Sequence, residues 1–291
     1  MTMMHPGTRR LAAFVLFGSL LANVFVADVV AADPAAYRWR NVAIGGGGFI
    51  SGLVFHPTHE GAIFARTDIG GAYRWSAGEG RWQPLLDWMP EADKGRFGVE
   101  SIAVDPSDAS KLYIAAGTYL NERGSDGAIL RSTDGGNSFD RATLPFKLGG
   151  NEQGRGNGER LAVDPNNGRV LLFGTRANGL WRSSDSGATW SEVTTFPAVA
   201  KSESAGVKSW NGLQPVGIAF VAFDPSSGGN GKASRTLYAG VSTRETSLFR
   251  SLDGGVSWQV VSGQPTGLRP NHMVRDARGR ILFDGASDQG Y

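Results

Sequence analysis

Carboxylates are the residues of this 291-residue chain whose placing points to chemistry. Three of them occupy one repeated phrase, Arg-Ser-x-Asp-x-Gly-x-Ser/Thr-Trp/Phe, at Arg131–Phe139, Arg182–Trp190 and Arg250–Trp258. Asp134, Asp185 and Asp253 stand fourth in each copy. Acids repeated in this way suit metal binding, catalysis, or a turn in which Asp bonds its own backbone and Gly takes a positive φ. A turn needed by every repeat explains the recurrence, so the three are assigned as structural Asp-box residues and no metal site is read. Asp68 is different. A constant offset of 108 sets Trp82 on Trp190, Arg74 on Arg182, Tyr73 on Trp181 and Gly71 on Gly179. Ala77 then falls on Asp185, and Asp68 falls on Arg176, in the loop between the second and third strands. The stretch Arg66-Thr-Asp-Ile-Gly-Gly71 carries two glycines, which let a ligand or another backbone approach closely. From position alone, Asp68 is either a functional group or a solvated turn residue.

The elements that must hold these residues also repeat. Ile102-Ala-Val-Asp-Pro106, Leu161-Ala-Val-Asp-Pro165 and Val221-Ala-Phe-Asp-Pro225 precede the three phrases, and Leu53-Val-Phe-His-Pro57 is a weaker first copy. Their prolines lie 49, 59 and 60 residues apart. Each unit holds four short runs of β-branched, aromatic and aliphatic residues; in the third these are 160–164, 170–174, 180–183 and 190–193. Four strands per unit of about 50 residues predict an all-β fold, a β-propeller of four-stranded antiparallel blades. The blades are expected at 50–86, 99–142, 158–193 and 218–261, with part of a fifth at 271–291. In such a sheet the second-to-third and fourth-to-first loops share one face, opposite the Asp-box turns. The fourth-to-first connections, 87–98, 143–158 and 194–217, are long and carry Trp88, Phe97, Phe146 and Trp210. The second-to-third loop of the second unit adds Tyr119 and Asn121. Aromatics, carboxylates and amides presented on one face suit a sugar chain, because pyranose CH faces stack on rings and hydroxyls take polar contacts. The same aromatics also suit the gaps between blades.

Composition excludes several classes. The chain has no Cys, which removes disulfides, thiolate zinc sites and a cysteine nucleophile. The formal charge is +2 with no Lys/Arg cluster, so nucleic acid is not an expected partner. His56 and His59 sit near a turn and form no metal constellation, and no cofactor is read. Arg9 and Arg10 precede a 16-residue apolar run, Leu11–Val26, followed by small residues around Val29–Ala32. That order reads as a secretory signal over 1–32; the run is short for a membrane span of about 20 residues. A secreted product, extracellular or periplasmic and free of the membrane after cleavage, is expected, with 33–291 as an incomplete propeller domain.

Tyr37-Arg-Trp-Arg-Asn-Val-Ala-Ile-Gly-Gly-Gly-Gly-Phe49, followed by Ile63-Phe-Ala-Arg-Thr-Asp-Ile-Gly-Gly-Ala-Tyr-Arg-Trp75, closely resembles glycoside hydrolase family 74. Pro84–Trp88, Gly117–Tyr119, Leu144–Asn151 and Gly154-Arg-Gly-Asn-Gly-Glu-Arg160 resemble it too, as does the series of three Asp-boxes. The resemblance covers about 37–264 and thins from 265 to 291. It implies a xyloglucan-acting, inverting endo-β-1,4-glucanase type with two seven-bladed propellers facing across a glucan cleft. Asp68 matches the family's general base; the general acid belongs to the second propeller, which is absent from this chain. Ile69, Gly70, Trp88, Tyr119, Asn121, Arg155, Glu159 and Trp210 are the candidate substrate-binding residues. Two alternatives stay open: a glucan-binding propeller or truncated homologue without catalysis, and a non-carbohydrate Asp-box propeller serving assembly or sorting. A sialidase is disfavoured, since no set of arginines with a nucleophilic Tyr appears in the expected layout.

Overall fold

Alternating side chains and closely spaced turn residues build a row of small antiparallel sheets. The computed structural model describes residues 45–209, 212–229, 231–275 and 281–286. The expected signal segment and Trp210 lie outside them. The first sheet holds β1 (Ile50–Phe55), β2 (Ile63–Thr67), β3 (Ala72–Ser76) and β4 (Arg81–Pro84). The second holds β5 (Val99–Asp105), β6 (Asp108–Ala116), β7 (Asp126–Ser132) and β8 (Asp140–Lys147). The third holds β9 (Leu161–Val163), β10 (Leu171–Gly174), β11 (Leu180–Ser183) and β12 (Ser191–Glu192). A hairpin, β13 (Gly206–Ser209) and β14 (Gly212–Pro215), precedes the fourth sheet. That sheet holds β15 (Ile218–Phe223), β16 (Leu237–Val241), β17 (Leu248–Ser251) and β18 (Gln259–Val260). Then β19 (Arg269–Arg275) pairs with β20 (Ile281–Ala286). In each four-stranded sheet the strands lie in chain order, the topology of propeller blades. Among the described residues, no helix is long and apolar enough to cross a membrane.

The core sits between blades. Phe64 and Ala72 of the first blade pack with Ile102, Leu112, Ile114 and Leu130 of the second. Tyr113, Ala115 and Ile129 of the second turn the other way, onto Leu161, Leu171 and Phe173 of the third. Leu172 and Leu180 then meet Ile218, Val221, Leu237 and Phe249 of the fourth. Neighbouring residues of one strand thus serve two interfaces, because successive Cβ atoms point to opposite faces. This is why β10 and β15 are buried at every position.

The repeated phrases each close on a turn. Asp134 Oδ1 accepts the Asn137 and Ser138 N–H groups (3.0 and 2.9 Å), and Oδ2 accepts the Ser138 hydroxyl. Asp185 and Asp253 repeat the pattern with Thr189 and Ser257. Accepting these donors holds Asp134 well below the usual carboxylate range. The blades are also stitched in series. Arg74 donates to Gly135 O (2.6 Å), Arg131 to Ser186 O (3.5 Å) and Arg182 to Gly254 O, each on the next blade's turn. His56, where the other copies carry Asp, accepts the His59 N–H at Nδ1 (3.0 Å) and donates from Nε2 to Asp105 O (2.9 Å). One long connection is shorter than the sequence suggests: β8 runs through Pro145 to Lys147. As the outermost strand of its sheet, it tolerates a residue without an N–H.

Buried charge ties the inner strands. Glu100 lies fully inside, its carboxylate 2.9 Å from both Arg160 Nε and Arg176 Nε, and it accepts the Gly149 N–H (2.7 Å). Burial pushes its pKa up, but Arg176, Arg160 and the hydrogen bonds outweigh it and hold the group at about 2. A carboxylate depressed in the folded state contributes stability that is present above its unfolded pKa and lost as pH falls through the folded one. Glu100→Gln strands two buried guanidiniums and is expected to cost about 3–5 kcal/mol at pH 7. The melting temperature of the unaltered chain should fall between about pH 4.5 and 2, and the variant should flatten that limb; equal slopes would refute the assignment.

Candidate functional site

The loop carrying Asp68 is the same turn as its counterpart around Arg176. Thr67 Oγ1 donates to Gly71 O (2.8 Å) and accepts the Gly70 N–H (2.8 Å). Thr175 Oγ1 donates to Gly179 O (2.7 Å) and accepts the Asn178 N–H (2.8 Å). Both turns close on a glycine of positive φ, Gly71 (+86°) and Gly179 (+73°). Where the third blade points Arg176 into a buried ion pair, the first blade places an acid. Asp68 is 7% exposed. Its Oδ1 accepts the Phe49 N–H (2.7 Å), and its Oδ2 lies 3.5 Å from Arg155 Nε. Gly48 permits this: a Cβ there would come within 2.9 Å of Asp68 Oδ1. The Arg155 guanidinium lies 5.4 Å from the centre of the Phe49 ring.

Arg66, two residues before Asp68, anchors the opposite wall. It is 1% exposed. Its Nε donates to Glu159 Oε1 (2.8 Å), Nη1 to Ser51 Oγ (2.9 Å) and Arg155 O (2.6 Å), and Nη2 to Asn157 O (2.7 Å). The other Glu159 oxygen accepts the Ser101 hydroxyl (2.5 Å) and the Ile102 N–H (2.8 Å). Three blades therefore meet at one carboxylate, and the Gly154–Asn157 segment is pinned by its carbonyls. Two adjoining clefts result. One, of about 350 Å³, lies between Phe49, the 153–157 segment, Asn271 and His272. The other, of about 410 Å³, runs past Arg155 to Tyr119, Asn121, Asn151, Ser209 and Gln214. Tyr119 accepts a hydrogen bond from Asn151 Nδ2 (3.0 Å).

The structure thus gathers Arg155, Tyr119 and Asn121 along one groove; Asp68 is buried behind it against Arg155, with the half-exposed Ile69 next in the chain. Three of the candidate residues have other surroundings. The space above Gly70 belongs to the chain itself: a Cβ there would lie 1.8 Å from Gly47 O. Both Glu159 oxygens are taken by protein donors. Trp88 lies outside the groove, stacked on Phe139 (6.2 Å, 15°) with its indole N–H donated to Leu85 O (3.0 Å). It borders a hollow with Arg74, Gln83 and Asn137, beside the second blade's Asp-Gly turn. Phe49, Gln153 and Asn157 went unmarked; the Gly45–Gly48 run before Phe49 was the available signal.

Against this geometry stand the comparisons with known proteins. No family model matches the chain. Its fold superposes with a TM-score of 0.80 on the glycoside hydrolase family 74 xyloglucanase from Xanthomonas campestris, at 53% identity over 86% of this chain and 35% of that one. A family 74 enzyme from Niastella koreensis superposes at 0.71 with 41% identity, over 85% of this chain and 35% of its own. A xyloglucanase from a Paenibacillus species is 47% identical over 283 residues, 96% of this chain and 27% of that protein. Over this stretch the chain is similar to enzymes of glycoside hydrolase family 74. It spans between about a quarter and a third of the length of the curated xyloglucanases it matches.

In this chain, Trp88→Ala is expected to cost about 1–2 kcal/mol of stability, the worth of a partly exposed aromatic pair. Oligosaccharide affinity by calorimetry should stay unchanged. A drop in affinity with an unaltered melting temperature would return Trp88 to the binding surface.

Proposed function

We propose that this chain is the base-bearing part of a secreted, inverting hydrolase of the xyloglucan β-1,4-glucan backbone. The reading rests above all on Asp68, an acid standing where the third blade has a buried arginine on an otherwise repeated turn, against the Arg155 that lines both clefts. The names of its family 74 relatives support xyloglucan as the substrate. Inversion requires a general acid and a general base about 6.5–9.5 Å apart, with water between the base and the sugar. Asp68 is suited to the base: it is fixed at Oδ1 by the Phe49 N–H, while Oδ2 faces Arg155. A general acid must hold its proton at working pH, which calls for a raised pKa. Glu100 is held at about 2 by two arginines, and Glu159 is locked by Arg66, Ser101 and Ile102. Neither fits that role; the resemblance to family 74 implies an acid on a second propeller facing this one. The segment 1–32 is read as the signal that exports the protein.

The same locked carboxylates favour a second reading for this chain by itself, a glucan-binding surface without turnover. Xyloglucan hydrolysis by the protein carrying both propellers separates the roles. Asp68→Asn should lower reducing-sugar release by about 10²–10⁴-fold, the usual contribution of a general base, while oligosaccharide binding persists. Turnover unaffected by the substitution would remove Asp68 from the chemistry.

A further inference from the structure

Asp93 is a buried acid that lines neither of the two clefts. It is 8% exposed and stands in a 3-10 turn, Glu91–Arg96, on the connection from the first blade to the second. Arg141 on β8 meets it with two bonds, Nη2 to Oδ2 (2.6 Å) and Nη1 to Oδ1 (3.2 Å). Arg96, from the turn itself, also donates to Oδ1, and its Nε donates to Asp126 O at the start of β7 (2.9 Å). The bonds from Arg141 hold the Asp93 carboxylate below its usual range, although burial pushes it up. A buried charge that loses its partners is costly, so the turn is locked onto the second blade.

The turn leads directly to the backbone of the Asp68 loop. Phe97 O accepts the Gly71 N–H (2.8 Å), and Gly71 is the glycine on which the Asp68 turn closes. A Cβ on Gly98 would come within 2.6 Å of both Asp68 O and Thr118 Cα, so Gly98 fills the space between two loops. Thr118 immediately precedes Tyr119. Its N–H donates to Gly95 O (2.9 Å), and its Oγ1 accepts the Gly98 N–H (2.8 Å). Residues 95–98 are therefore wedged between the Asp68 turn and the Tyr119 loop and bonded to both. A reacting group must be held to within a fraction of an ångström, and only a rigid support of this kind does so.

We infer that Asp93 is a positioning residue for the general base. Through Arg141 and Arg96 it fixes the 91–98 segment on the second blade, and that segment sets the spacing between Asp68 and the Tyr119 loop. The proposal rests on the reading of Asp68 as the base and deepens it, by naming a second support for its loop.

Xyloglucan kinetics with the protein carrying both propellers test it. Asp93→Asn keeps the shape and removes the charge that both guanidiniums meet. Its kcat should fall about tenfold or more, because a small misplacement of a reacting group is costly, while KM stays within about twofold. In an Asp68→Asn background the same substitution should change kcat by less than about twofold, since positioning has no value once the base is gone. Equal losses in both backgrounds would overturn the proposal and make Asp93 a general stabiliser; an unchanged kcat would overturn it too. Hydrogen exchange on the 291-residue chain checks the path separately. The Gly71 and Thr118 amides should exchange about tenfold faster in Asp93→Asn, with those of β10 and β15 unaffected. Unchanged exchange at Gly71 would overturn the proposal whatever the role of Asp68. Turnover unaffected by Asp68→Asn, with faster exchange at Gly71, would overturn the base reading and support Asp93 as the brace of the turn. Should Asp93→Asn fail to fold, Arg141→Ala removes one partner of Asp93 at the half-buried face of β8 and is read in the same way.

Discussion

A guanidinium buried to 1% exposure cannot be left unpaired, and the site is organised around that constraint. Arg66 satisfies it with one hydroxyl of the first blade, and with one carboxylate and two carbonyls of the segment that leads into the third. Its counter-ion Glu159 takes its remaining hydrogen bonds from the second. Burying a charge costs far more than one hydrogen bond returns, so the arrangement persists only when all its partners are in place. That all-or-none character turns a repeat of separate sheets into a rigid platform. Asp68 follows Arg66 by two residues and Arg155 contributes a carbonyl to it. The acid and the cation that faces it therefore inherit their positions from the same buried group.

The device recurs along the row of blades. Arg160 and Arg176 share Glu100, and Arg160 reaches on to Val216 O at the start of the fourth blade. Arg269 donates to Ser204 O (3.0 Å) and Ser242 O at the start of β19. Apolar clusters hold each pair of blades together over their length, and arginine clamps set the inner ends where the clefts lie. On the proposed reading, the first blade departs from this scheme at one position. It gives up a clamp residue for Asp68, and the acid is left facing Arg155.

What could be read from the sequence was what is local. The Asp-Gly turns close through bonds two to four residues long, so their role was legible from spacing. The Asp68–Arg176 equivalence was legible too, because both turns repeat one Thr-to-Gly closure. Long-range partners were not. Nothing near Trp88 in the chain announces Phe139, 51 positions on, and an exposed aromatic looks alike as a platform or a wedge. Gly70 signalled a close approach, but only the fold shows that Gly47 makes it. Glu159 and Arg66 are separated by 93 residues, and Asn157 and Asn271 lie in different blades, so no spacing could join them.

The central claim is that the Arg66–Glu159 pair, and not the segment's own sequence, fixes the 154–158 wall against Asp68. Hydrogen exchange of the amides at 154–158 measures this directly in the unaltered chain and in Glu159→Gln. The substitution keeps the shape and removes the counter-charge. The account expects exchange at 154–158 to quicken by about tenfold or more, the effect of losing at least ~1.4 kcal/mol of local protection. Amides of β10 and β15 should stay as slow as before. Unchanged exchange at 154–158 would contradict the claim, and so would an equal increase in every blade, which would make the pair a general stabiliser of the fold.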